Sequence, residues 1–333
     1  MRYRRYKMIT LYLPPRDERK ISPPPGRGRQ VFLYLRYGVR LMPPYTKPPL
    51  SAPDMVKLLQ SKGLVISDEP KAQRYLNTIG YYRLSAYFIP FYSQKDTFQS
   101  NVSFDDVLSL YIFDRKLRLL TLDPVQRIEV AVRTAISNHM SLKYDPFWIL
   151  DCGHFEDFNK YHRLIGLCLK YAGPEAGHSQ PCRHYFTTYG EHPLPPSWML
   201  IEELPMDCWS KLFANLKNKQ DKRAIADQFQ FSWRDFASWL QTVTVIRNIL
   251  AHHRRFWNVT VPIKPANMSH YIIDAGVLQG AYISFAVIRK LFTSFTQHSS
   301  WHMRLAEHMK TCPLNIHNYM YFPVNWQNLP FWS

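Results

Sequence analysis

The chain has 333 residues, 46% of them hydrophobic, which suffices for one large or two modest domains with an apolar core. Its formal net charge of +17 favours a polyanionic partner, either a nucleic acid or an anionic membrane surface. The five cysteines include no C-x-x-C pair, which argues against a disulfide framework or a structural zinc site and predicts a reducing compartment. The longest apolar run, Tyr271 to Ile288, contains Asp274 and Gln279, so no membrane span of about 20 residues is predicted.

The first 47 residues are rich in arginine and proline and show no sustained periodicity. Prolines at positions 14, 15, 23, 24, 25, 43 and 44 would interrupt any helix. We predict an irregular basic arm over residues 1–47, either a disordered extension or a segment that grips a nucleic-acid backbone.

A helical pattern begins at Leu50 and indicates a small helical unit over residues 48–100. Ser51 can cap a helix over residues 53–62, with Gly63 after its end, and a second helix is predicted over residues 70–80. The unit is either a helical cap on the main bundle or a nucleic-acid reader of the helix-turn-helix kind.

Residues 101–333 form the predicted main helical domain, with an insertion of long loops over residues 145–196. Asp123-Pro124 is expected to separate two helices, and a basic turn is expected over residues 217–222. The predicted helices cover 104–122, 124–142, 155–171, 197–204, 208–216, 231–252, 271–295 and 301–309, and an aromatic tail over 319–332 is expected to pack back on them. No strand-like alternation is sustained, so the fold class is all-α.

The most distinctive stretch, VTVIRNILAHHRRFWNVTV over residues 243–261, concentrates side chains suited to work on a phosphodiester. Arginine offers a planar fork of donors to phosphate oxygens, and histidine can take or give a proton near neutral pH, neither of which requires a metal or a cofactor. The candidate catalytic residues are Arg247, Asn248 and His252, and the candidate RNA contacts are His253, Arg254, Arg255, Trp257 and Asn258.

The spacing of Arg247 and His252 constrains this site. Five steps along a regular helix place the two side chains roughly 140° apart, so they do not share a face. For both to reach one phosphate, the helix must end or bend near His252, or the site must lie between two chains.

Other charged residues have two open interpretations each. Glu129 can orient Arg247 or His252, or it can simply pair with Arg133 one helical turn away. Glu202 is a further candidate for a supporting carboxylate. The basic residues Lys217, Lys219, Lys222 and Arg223 are either phosphate contacts or a solvated face.

Six segments of the chain together resemble those of a known family: IGYYRLSAY (79–87), LYIFDRKLR (110–118), RIEVAVRTAI (127–136), HPLPPSWMLIE (192–202), RNILAHHRRFWN (247–258) and YFPVNWQNLPFW (321–332). In this order they resemble the Abi-like (AbiD/AbiF) abortive-infection family, and the R-N-x-x-x-H pattern resembles the signature of HEPN-superfamily ribonucleases. The chain departs from the family at Val259, where a basic residue is usual, and at Asp207 and Tyr321, where glycine is favoured.

The resemblance implies a HEPN-like helical bundle and metal-independent RNA cleavage that leaves a 2′,3′-cyclic phosphate, and the spacing of Arg247 and His252 favours a homodimer. His252 would be the general base or acid, Arg247 would stabilise the phosphorane, and Asn248 would hold the helix end in register. It further implies a cytoplasmic role in anti-phage defence, with a non-coding RNA as a regulatory partner.

Two alternatives remain open at this stage. The chain can be a catalytically silent HEPN-like protein that holds a structured RNA, with Arg247 and His252 serving as phosphate contacts. It can also be drawn to a membrane surface by the basic segment from Met1 to Arg40.

Overall fold

The computed structural model describes residues 46, 48–176 and 179–333, so the predicted arm over residues 1–47 lies outside the described residues apart from Thr46. Residues 50–333 cluster into one unit. Its helices are α1 (Ala52–Ser61), α2 (Glu69–Ile79), α3 (Tyr81–Ser85), α4 (Phe104–Lys143), α5 (Phe158–Ala172), α6 (Gln180–Thr188), α7 (Ser197–Glu203), α8 (Met206–Asn215), α9 (Lys219–Asp227), α10 (Trp233–Ala251), α11 (Met268–Tyr271), α12 (Tyr282–Thr293), α13 (Trp301–Met309) and α14 (Ile316–Met320). A two-stranded antiparallel hairpin, β1 (Tyr92–Gln94) and β2 (Thr97–Phe98), is the sheet of the described residues. The predicted all-α fold is confirmed.

The longest helix, α4, runs unbroken through Pro124, so the predicted separation into two helices is wrong. A capping box between Ser103 and Asp106 begins the helix. Pro124 has no N–H to donate to the carbonyl of Leu120, one turn earlier. The indole Nε1 of Trp301 donates to that carbonyl at 3.0 Å instead. A distant side chain therefore satisfies the acceptor that the proline leaves free, and the helix continues.

The other helices pack around α4, which contacts α3, α7, α8, α9, α10, α12 and α13. Its buried apolar residues recur every three or four positions, as in Ile128, Val132 and Ile136, and they face the core of the bundle. On α10, Trp239 and Val243 are fully buried. The contact between α4 and α10 helps to position the R-N-x-x-x-H motif (residues 247–252) at the end of α10.

The N-terminal unit begins as predicted. The Ser51 hydroxyl accepts the Asp54 N–H at 3.3 Å and caps α1, while the Asp68 carboxylate accepts the Lys71 N–H at 2.8 Å and caps α2. Beyond them α3 packs against α4 and buries Leu84. This packing favours a helical cap on the bundle over a free-standing nucleic-acid reader.

Three further helix predictions need correction. The helix predicted from Tyr271 begins only at Tyr282, because Asp274, Gly276 and Gly280 all adopt positive φ angles that a helix does not allow. The region over 145–196 contains α6, which was not predicted, and the predicted basic turn is in fact the start of α9.

The aromatic tail packs back on the bundle as predicted. Trp326 and Trp332 are buried, and the Trp332 indole donates to the Tyr282 hydroxyl at 2.7 Å. The Arg289 guanidinium donates from Nε to the Phe331 carbonyl at 2.6 Å. The tail thus closes the core around α12.

We expect Gly280→Ala to lower the free energy of unfolding by about 2–4 kcal/mol, because Gly280 has a φ of +56° and a methyl group there would overlap the Tyr321 ring. Gly166→Ala on α5 is the matched control: the site is open, and we expect a gain of about 1 kcal/mol from helix propensity. Urea denaturation of the two variants measures both values. Equal stability of Gly280→Ala and the wild type would contradict the left-handed geometry at this turn.

Candidate functional site at the end of α10

The helix that carries Arg247 ends at Ala251, directly before His252, which is one of the arrangements that the spacing of Arg247 and His252 allowed. His252 caps α10, and His253 adopts a left-handed conformation with φ of +55°. The His253 N–H donates to the Leu250 carbonyl at 3.1 Å, and the Arg254 N–H donates to the Ile249 carbonyl at 3.0 Å. This pair of bonds is a Schellman motif, with histidine where glycine is usual. It turns the chain sharply and leaves both imidazoles exposed.

Arg247 is held against α4 by a carboxylate. Its Nε donates to Glu129 Oε2 at 3.0 Å, and its Nη1 lies 3.4 Å from the Asn248 amide oxygen. The other oxygen of Glu129 binds Arg133, whose Nη1 also donates to the Ile201 carbonyl at 2.8 Å. Both contacts considered for Glu129 are therefore present at once. Burial lowers the pKa of the Arg133 guanidinium, and Glu129 offsets part of that effect.

Arg247 and Arg133 line an open cleft of about 410 Å³. Glu129, Glu202 and Glu203 line the same cleft, so three carboxylates stand beside two guanidinium groups. The lining does not include His252, which is exposed to solvent. Within one chain, Arg247 therefore lines this cleft without His252.

The segment after the helix end is anchored by a buried carboxylate, Asp114 on α4. Asp114 accepts the Trp257 N–H at 2.8 Å, the Phe256 N–H at 3.2 Å and the Tyr87 hydroxyl at 2.6 Å, and it pairs with the Arg118 guanidinium. Burial raises the pKa of the Asp114 carboxyl, while Arg118 and the other donors oppose that rise. The ionised form therefore depends on these four donors.

Sequence reasoning missed Asp114. The available signal was a charged pair at i and i+4, Asp114 and Arg118, on the otherwise apolar face of a predicted helix. Such a pair on a buried face indicates a partner that the local sequence does not show.

Two arginines connect the N-terminal unit to the segment after α10. Arg83 donates from Nη1 to the His253 carbonyl at 2.6 Å, and Arg255 donates from Nη1 to the Ala86 carbonyl at 2.8 Å. The positions of His252 and His253 are therefore set by α3 and α4 as well as by α10.

Two predicted RNA contacts are corrected by their burial. Trp257 is fully buried beside Tyr319, with ring centroids 5.7 Å apart, so it cannot stack on a base. Lys222 is buried, and its ammonium donates to the Ala214 carbonyl at 2.9 Å; burial lowers its pKa. Neither residue is available to bind a phosphate.

The other predicted contacts differ in accessibility. Arg255 is half-buried and committed to Ala86, and Asn258 is half-buried with an amide oxygen that has no partner among the described residues. The exposed ones are His253, Arg254, Lys217, Lys219 and Arg223.

No group of three or more His, Cys, Asp or Glu side chains in the described part of the chain is arranged to hold a metal ion. Over the same residues, no helix combines the length and the apolar character that crossing a bilayer requires.

The family of this chain is shown by its sequence. The model of the Abi-like protein family matches residues 74–258, more than half of the chain, and includes five of the six segments that carry the resemblance. The chain therefore belongs to the Abi-like protein family, which associates it with abortive infection and defence against phage. Neither a curated protein nor a solved structure matches the chain.

We expect Asp114→Asn to lower the free energy of unfolding by about 3–5 kcal/mol, because it leaves the buried Arg118 without its counter-charge. The control is Asp123→Asn. Asp123 is also on α4 and forms a half-exposed ion pair with Arg304 of α13, so the substitution removes the same charge and should cost less than about 1 kcal/mol. Urea denaturation measures both. Similar losses for the two variants would refute the anchoring role of Asp114.

Proposed function

We propose that the chain is a HEPN-type endoribonuclease of abortive infection, which cleaves RNA without a metal and leaves a 2′,3′-cyclic phosphate. One observation carries the proposal: α10 ends so that the His252 imidazole is exposed, one and a half turns beyond an arginine held by Glu129. Membership of the Abi-like family and the net charge of +17 support a nucleic-acid substrate.

The chemistry needs one proton carrier and one cation. His252 takes the proton of a ribose 2′-hydroxyl, and the 2′-oxygen attacks the adjacent phosphorus while the bond to the 5′-oxygen breaks. The His252 imidazolium formed in this way gives the proton to that leaving oxygen. Arg247 stabilises the charge on the phosphorane oxygens. Asn248 contributes through its main-chain carbonyl, which accepts the His252 main-chain N–H at 3.1 Å and fixes the start of the turn.

We further propose that the site is completed in a homodimer. Arg247 lines a cleft and His252 does not, so an arrangement across two chains supplies what one chain lacks. Val130 on α4 lines this cleft and is 55% exposed. It gives a second copy an apolar side chain to cover beside Arg247.

Such a nuclease acts on RNA of its own cell and needs restraint. A structured non-coding RNA bound to the basic surface, in the cytoplasm, would keep it silent until infection. The exposed residues His253, Arg254, Lys217, Lys219 and Arg223 are the proposed contacts for substrate or regulatory RNA.

A second candidate function is RNA binding without cleavage. The composition of the cleft at Arg247 favours the absence of cleavage. Glu129 already pairs with Arg247, and two further carboxylates line the same space, so the guanidinium is not free to act on the phosphorane alone. Binding of RNA by the wild-type chain with no cleavage would favour this function over the nuclease.

We expect His252→Ala to reduce cleavage of single-stranded RNA by about 10²–10⁴-fold, since the proton carrier is removed. RNA binding by this variant should stay nearly unchanged. The wild-type chain should leave a 2′,3′-cyclic phosphate on its RNA product, and it should not cleave DNA. The matched control is His298→Ala, which removes another exposed imidazole far along the sequence from the motif. Gel analysis of labelled oligonucleotides, with mass spectrometry of the ends, measures each outcome.

Two results would refute the assignment. One is full activity of His252→Ala, which would place the proton carrier elsewhere. The other is loss of wild-type cleavage on addition of EDTA, which would indicate a metal-dependent nuclease.

A further inference from the structure

A second cavity, of about 270 Å³, lies between α3, α4 and the end of α10. The polar residues that line it are Arg83, Arg115, Arg118, His253 and Tyr111. No carboxylate lines it. The cleft at Arg247, by contrast, combines two arginines with three glutamates. Of these two concavities, the cavity beside His253 is therefore the more positive one, and the cleft at Arg247 is the less positive.

The positive charge of this cavity is only partly compensated. Arg118 is buried and paired with Asp114, and Arg83 uses one nitrogen to bind the His253 carbonyl. Arg115 is exposed and forms no hydrogen bond or ion pair with any of the described residues. A guanidinium has five N–H donors, so Arg83 and Arg115 retain donors for an oxyanion.

The cavity and the Arg247 cleft follow one another along the same side of α4. Arg115, Arg118 and Leu122 line the first, and Gln126, Glu129 and Arg133 continue the row into the second. The eleven residue steps from Arg118 to Glu129 correspond to about 16 Å along the helix. A few nucleotides of a single strand span that distance.

We propose that this cavity binds a backbone phosphate of the RNA, at a position upstream or downstream of the phosphate that is cleaved. The inference rests on the proposed function and adds residues to it, namely Arg83, Arg115 and Arg118. The Arg115 guanidinium makes the direct contact, and the Arg83–His253 bond couples the cavity to the turn that carries His252. A phosphate held here sets the register of the strand relative to the motif.

The test uses a fluorescently labelled single-stranded RNA of mixed sequence and the His252→Ala chain, so that the RNA stays intact. Arg115→Gln is introduced because Arg115 is exposed and its loss leaves the Asp114 anchor in place. The control is Lys116→Gln, which removes the same charge from the adjacent exposed position of α4 but does not line the cavity. Fluorescence anisotropy is recorded over a range of salt concentrations.

We expect Arg115→Gln to weaken binding about 5–10-fold and to reduce the slope of log K against log salt by about 0.7, the value for one phosphate contact on a single strand. Lys116→Gln should change the affinity by less than about twofold and leave the slope unchanged. In the otherwise wild-type chain, Arg115→Gln should raise KM with little change in kcat, because the contact is made equally in the ground state and the transition state.

Equal effects of the two substitutions on affinity and slope would overturn this inference and leave the proposed nuclease standing. If the His252→Ala chain binds no RNA, whether or not it also carries Arg115→Gln, the proposed function and the inference are both overturned.

Discussion

The rest of the site depends on the hydrogen bonds and the ion pair of one buried carboxylate, that of Asp114. It binds a hydroxyl from Tyr87 in the N-terminal unit, a guanidinium from Arg118 on α4, and two backbone N–H groups just after the motif. A carboxylate so far from water is tolerated only when its oxygens are fully engaged. These bonds hold three separate segments together and thereby fix where the chain goes once α10 has ended.

Local features of this fold were predictable from sequence, and long-range ones were not. The Ser51 cap marked the start of α1, and a helix end near His252 was one of the arrangements that the spacing of Arg247 and His252 allowed, because these signals lie within a few residues. The break expected at Pro124 failed because the compensating donor, Trp301, lies far along the chain. Asp114 was missed, and Trp257 was misassigned to RNA contact, for the same reason: their environments are built by segments distant in sequence.

The structure also changes the electrostatic picture that net charge suggests. A basic chain does not make every cavity basic: the cleft at Arg247 contains three glutamates, and the cavity lined by Arg115 contains none. In the proposed mechanism the acidic cleft and the basic cavity have different roles. Glu129 orients the guanidinium that stabilises the transition state, and the more positive cavity supplies affinity for the strand. Binding energy and chemistry are then provided by neighbouring parts of one surface along α4.

The central claim is that Arg247 of one chain and His252 of its partner act on the same phosphodiester. Mixing the Arg247→Ala and His252→Ala chains, after dissociation and reassociation, tests it directly. Half of the dimers formed are mixed, and each contains one intact site and one site lacking both groups, so the account predicts recovery of about one quarter of wild-type RNA cleavage from two inactive chains. Mixed dimers that form and remain as inactive as the separate variants would contradict it.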